Sequence, residues 1–198
     1  MKQDLIQFYL ERKFDDLGLD VSDVNMVYFW KPRPKERGTI DEACCCQWWF
    51  SKFKFEGTVF RTAEHAMMYG KAKMFNDQQA MSAILEELLP HAVKAIGRQV
   101  RNFDGTKWDN ASYDLVRDIN LEKFKQDPRL KKWLLSLPDN TVFVEASPFD
   151  RIWGIGLGDD GTTDLTNIKN WQGMNKLGFA ITEVFQELLK EQAARGLS

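Results

Sequence analysis

The chain has 198 residues, 43% hydrophobic and 28% charged, with a formal net charge of -2. That length can bury a real core and is most simply one domain, and the balance is globular rather than disordered. The near-neutral charge supplies no global field toward nucleic acid or a membrane surface.

No segment approaches the roughly 18 apolar residues of a membrane span. Acids run through the opening segment, which argues against a secretory signal. An intracellular protein, cytoplasmic or nuclear, with no membrane partner is expected. The three cysteines are consecutive, Cys44-Cys45-Cys46. They build no disulfide framework and lack metal-ligand spacing, and His65 and His91 are the only histidines. No metal site and no cofactor are expected.

In chain order, residues 3–17 read as an amphipathic helix, with Leu5, Ile6, Tyr9, Leu10, Phe14 and Leu17 at helical spacing. Residues 1–25 are expected to form an N-terminal helical extension before a domain spanning 26–198. Met26-Val-Tyr-Phe-Trp30 reads as a strand stopped by Pro32 and Pro34. Residues 52–61 alternate around Glu56-Gly57 as a short hairpin would. Helices follow over 61–75, 77–88, from Pro90 to Gly97-Arg98, over about 110–125, and from Asp127-Pro128 with Leu130, Trp133, Leu134 and Leu137 facing a core. Residues 142–146 form a compact strand. The Gly- and Asp-rich loop 147–166 is too long for a mere connector, and a last helix covers about 174–193. The class is α+β: a predominantly helical single domain around a small antiparallel sheet.

The helix over 61–75 carries the most information. Ala63, Met67, Gly70 and Met74 make one buried stripe, with Thr62 as N-cap. Glu64, Met68, Lys71 and Phe75 make a second stripe beside it. An acid and an amine two turns apart among large apolar groups suit a cleft wall, where partial burial shifts pKa values toward neutrality. A charge pair covering apolar surface with its stems would give the same spacing.

Two other segments stand beside it. In Val144-Glu-Ala-Ser-Pro-Phe-Asp150-Arg-Ile-Trp153-Gly154-Ile-Gly-Leu-Gly158 a strand end leads into a carboxylate, an indole and three alternating glycines, a pattern suited to ligand approach that ordinary turns also show. Arg98, just after a helix and followed by Trp108, could fork onto a phosphate.

These pieces together resemble the NADAR family, the NAD- and ADP-ribose-associated proteins that include the YbiA-like N-glycosidases. The likeness covers roughly 26–190. It rests on Tyr28-Phe-Trp30, Gln47-Trp-Trp49-Phe, Glu56-Gly57, Ala63-Glu64-His65 with Lys71, Ala95-Ile-Gly97-Arg98, Trp108-Asp109, Lys123-Phe124, Val144-Glu-Ala-Ser147, Asp150 to Gly154, and Asn175-Lys-Leu-Gly178, all in family order. One departure is Ile181-Thr-Glu-Val-Phe185, where the family's last helix often carries a Met-(x)2-Arg-like pattern.

The resemblance implies hydrolysis of a bond between ribose C1 and an exocyclic amine. The substrate would be ADP-ribosylated guanine, in nucleotides or in modified DNA or RNA, or a phosphoribosylated intermediate of riboflavin synthesis. A module that binds ADP-ribose without cleaving it is the non-enzymatic alternative. Glu64, Lys71 and Asp150 are the catalytic candidates. Lys71 would act as a Schiff-base amine, or Glu64 would activate water while Asp150 steadies the sugar. Lys31 is a second candidate amine. Trp30, Lys31, Trp49, Arg98, Trp108, Trp153, Gly154 and Asn175 are the candidate substrate-binding residues.

Overall fold

Strand β1 (Asn25–Phe29) pairs in parallel with β4 (Thr141–Glu145), with Tyr28 opposite Val144. This pair is therefore not the antiparallel sheet expected from the sequence. A parallel partner far along the chain needs a long crossover, and residues 31–133 supply it. Those residues form one compact unit; residues up to Trp30, with Leu134 onward, form another. The computed structural model describes residues 2–196.

In the discontinuous unit, Val142, Phe143 and Val144 are fully buried, the continuous apolar run of a strand covered on both faces. Helix α7 (Lys176–Gly196) lies on this strand. Thr182 Oγ1 accepts from Phe143 N at 3.0 Å and donates to the Gly178 carbonyl at 2.9 Å. A Cβ on Gly178 would sit 2.1 Å from the Phe143 carbonyl oxygen, so only glycine lets the helix come this close.

Helix α1 (Lys2–Leu17) belongs to the same unit. Leu10 and Phe14 are buried, and the Phe14 ring meets Phe179 edge-on at 5.6 Å. Gln3 and Gln7 donate to the carbonyls of Trp171 and Ile168, and Lys13 pairs with Glu183 at 3.1 Å.

The contiguous unit opens with a short 3-10 turn, Glu42–Cys45, that buries the three thiols. The hairpin β2 (Phe53–Phe55) and β3 (Thr58–Phe60) is antiparallel. Its two linking residues, Glu56 and Gly57, both have positive φ (45° and 84°), as a two-residue turn matched to strand twist requires. Helices α2 (Ala63–Met74), α3 (Gln78–Glu86), α4 (Pro90–Arg98), α5 (Gly105–Gln126) and α6 (Pro128–Leu134) follow. Among the described residues no helix is long and apolar enough to cross a membrane.

Two local expectations change. Helix α5 starts at Gly105 rather than near 110, because Asp104 accepts from Lys107 N and caps it. Trp108 therefore sits in the first turn of a helix, not in a loop. Trp133, expected in the core, is only half-buried.

Candidate functional site

Helix α2 is buried all round over Ala63–Met68, a segment enclosed by protein rather than a surface amphipath. Its start is fixed by Thr62 and His65. Thr62 Oγ1 accepts from His65 N at 3.3 Å and meets His65 Nδ1 at 2.7 Å, while His65 Nε2 meets the Glu87 carbonyl at 3.2 Å. A carbonyl only accepts, so Nε2 carries the proton and Nδ1 accepts from the Thr62 hydroxyl. Burial holds the His65 pKa below its usual range, which matches this neutral, structural ring.

Glu64 follows in the first turn with only 4% of its surface exposed. The helix dipole favours a negative charge there. Its N–H donates to the Gln47 carbonyl at 3.0 Å, which fastens the preceding Gln47-Trp-Trp segment to the start of α2.

Lys71 lies two turns on, about 10 Å further along the axis. Its ammonium donates to the Gly97 carbonyl at the end of α4 (2.8 Å) and stands 4.2 Å from the centre of the Phe103 ring and 5.5 Å from that of Trp108. Burial lowers its pKa. Gly97 makes this contact possible, since a Cβ there would fall 2.0 Å from Met68 Sδ. Lys71 and Trp108 are thus brought together, with exposed Arg98 next in chain to the carbonyl that Lys71 holds. Lys31 is exposed, and Trp49 is half-buried with its Nε1 lacking a hydrogen-bond partner among the described residues.

The discontinuous unit holds the other candidates. Asp150 Oδ1 accepts from the N–H groups of Ile152 and Trp153 at 2.9 and 2.8 Å, so this carboxylate organises its own turn. Gly154 is buried where a Cβ would lie 2.7 Å from the Glu145 carbonyl. Asn175 is fully buried at φ 51°; its Oδ1 accepts from Glu145 N and its Nδ2 donates to the Phe143 carbonyl, both at 2.9 Å. The Asn175 amide is thereby occupied by β4. Trp153 and Trp30 are half-buried, the latter tilted against Phe149 at 6.0 Å.

Two polar residues were not singled out as functional from sequence. Lys123 is fully buried, donates to the Cys46 carbonyl at 3.1 Å, and has its pKa lowered by burial. Its signal was available: it shares helical spacing with Val116, Ile119 and Phe124, a core stripe interrupted by a cation. Gln47 is the other. Its buried state has no periodic signature, because it sits in an irregular segment.

The NADAR domain family model matches residues 28–189. N-glycosidase R617 of Acanthamoeba polyphaga mimivirus is 39% identical over 146 residues, covering 71% of this chain and 85% of that protein. Protein irg-1 of Caenorhabditis elegans is 35% identical over 138 residues, 67% of this chain and 63% of that protein. N-glycosidase Npun_R5314 of Nostoc punctiforme is 27% identical over 144 residues, 70% of this chain and 84% of that protein. The fold is similar to the NMR structure of the E. coli protein YbiA, with a TM-score of 0.66 at 21% identity, covering 85% of this chain and 88% of that one. Two of these relatives bear the name N-glycosidase, and the chain is a glycosidase-class enzyme. With a matching model over most of its length, the chain belongs to the NADAR domain family.

Proposed function

We propose that the enzyme hydrolyses the bond between ribose C1 and an exocyclic amine of a nucleobase, releasing ADP-ribose from ADP-ribosylated guanine. The observation that carries this reading is the chemistry of α2, which offers a buried carboxylate, Glu64, and a partly desolvated amine, Lys71, on one rigid element. An N-glycoside of an exocyclic amine can open to an imine at C1, a group that a primary amine attacks readily.

In the covalent route Lys71 Nζ adds to C1 of the opened sugar and gives up a proton. The base nitrogen takes a proton and leaves with the electrons of its C1–N bond, and a lysine imine remains. Water then adds to C1, and collapse of the adduct returns the free amine and the sugar aldehyde. Lys71 must leave the Gly97 carbonyl and be neutral to begin this sequence, which its depressed pKa favours. Glu64 is the group assigned to carry protons to the leaving nitrogen and from the water. Where no adduct forms, Glu64 activates water directly.

The test offers ADP-ribosylated guanosine and phosphoribosylated riboflavin-pathway intermediates to the enzyme and follows products by mass spectrometry. Release of ADP-ribose and guanosine is the expected result. Turnover of the riboflavin intermediates alone reassigns the substrate, and binding of ADP-ribose with no turnover of either overturns the enzymatic reading. Borohydride trapping during turnover marks the amine: an adduct on Lys71 supports the covalent route, and one on Lys31 moves the nucleophile there.

A further inference from the structure

Most buried polar side chains of residues 31–133 find partners within that unit. Thr62 and His65 hold each other, Asp77 holds Arg101 and caps α3, and Lys123 reaches the Cys46 carbonyl. Gln47 does not. It is 8% exposed, and neither its Oε1 nor its Nε2 has a hydrogen-bond partner among the described residues. Two residues on, the Trp49 indole Nε1 is buried and unpartnered as well. Leaving such groups unsatisfied costs about 1–3 kcal/mol each, and an apolar side chain of similar shape would avoid the cost. Folding therefore gives no reason for a glutamine here. Its main chain is nevertheless firmly placed, since its carbonyl accepts the N–H of Glu64 at 3.0 Å.

The geometry points to Gln47 as a specificity-determining binding residue whose carboxamide pairs with the leaving heterocycle, with the Trp49 Nε1–H as a further donor to the same ligand. A primary amide presents an acceptor oxygen and an N–H side by side. Its complement is a lactam edge, in which a ring N–H stands next to a C=O. Guanine and the pyrimidinones both carry that edge. The inference rests on the N-glycosidase reading above and adds which half of the substrate is read: the base is recognised by its lactam. These unsatisfied donors and the acceptor, on a segment whose main chain is tied to Glu64 N–H, would reach full pairing with such a base present, which couples recognition to the chemistry.

The experiment compares Gln47→Leu with the unchanged enzyme on ADP-ribosylated guanosine and on its O6-methylguanosine counterpart, which has no lactam. The unchanged enzyme should prefer the first substrate. In Gln47→Leu, kcat/KM for that substrate should fall about 10- to 100-fold, the worth of one good bidentate pair. The preference over the O6-methyl substrate should collapse. The thermal midpoint should stay or rise, because an unsatisfied amide has been removed from the interior.

A lower midpoint in Gln47→Leu would make the amide structural and overturn the proposal, as would retention of kcat/KM and preference within about threefold. If the unchanged enzyme turns over neither substrate, the guanine-substrate reading fails separately. Calorimetric titration with guanosine then still decides the role of Gln47, and equal affinity in the two proteins overturns it.

Discussion

The start of α2 and the segment from Asp150 to Gly178 both hold polar side chains away from full solvent, but they use them differently. In the second segment the polar side chains are used to hold backbone. Asp150 Oδ1 takes two backbone N–H groups, Asn175 bridges two positions of β4, and the Gly154 and Gly178 backbones pass where no Cβ fits. Just before α2 the inventory is left open: Gln47 and the Trp49 indole have no hydrogen-bond partner among the described residues. Hydrogen-bonded polar groups hold a fold in place, whereas unsatisfied ones detract from stability and persist where a ligand completes them. On the proposed reading, substitutions in the two places should divide between stability and activity.

The sharpest break is expected at Glu64. Glu64→Gln keeps the shape and the Gln47 link, which is made by the main chain, and should lower kcat by about 10²–10⁴-fold on the preferred substrate if the carboxylate moves protons. An effect below about threefold would remove Glu64 from that role. Next comes Lys71. If its neutral amine is the nucleophile, kcat/KM should rise with pH as the ammonium deprotonates. Because burial lowers this pKa, the rise should be centred below the ordinary lysine range. A flat profile across the alkaline range, together with no trapped adduct, would leave direct water attack.

The scaffold side should answer in stability. Asn175→Ala removes two buried hydrogen bonds and takes this partner away from both the Glu145 N–H and the Phe143 carbonyl. It should cost about 2–4 kcal/mol by chemical denaturation. Asp150 supplies a finer distinction. Asp150→Asn retains an oxygen that can accept from Ile152 and Trp153, so it should stay within about 1 kcal/mol of the parent, whereas Asp150→Ala should lose about 1–2 kcal/mol. Equal destabilisation by both would show that the charge, not the acceptor, holds the turn.

The smallest effect belongs to His65. Its folded pKa is lowered by burial, so between that value and the unfolded one the unfolded chain binds more protons. Stability should be fully present above the unfolded histidine pKa and decline as pH falls through the folded one. In His65→Gln this part of the pH dependence should vanish from the denaturation midpoint.

Much of the fold was legible in the residues. Pro90 at a first helical position, Thr62 as a cap and Glu56-Gly57 as a two-residue turn each acts through local geometry, and each stands where expected. The parallel pairing of β1 with β4 was not legible, because it depends on a crossover that no local pattern announces. The start of α5 at Gly105 rather than near 110 was not legible, because Asp-Gly serves both as a turn and as a helix cap. At the site, Glu64 and Lys71 could be found from charges set among apolar neighbours. The engagement of Lys71 with the Gly97 carbonyl could not, since it joins residues of two helices. Gln47 lay hidden because burial in an irregular segment leaves no period to read.

The parallel pair β1–β4 has a consequence for how the chain is made. Residues 31–133 are contiguous and can condense as soon as they leave the ribosome. The first strand must meanwhile wait for Thr141–Glu145, its mate across that whole insertion, and only then can it shield its edge. A nascent chain halted just short of Thr141 would carry β1 as an open, adhesive edge, and that stage of synthesis is where a chaperone would be needed most.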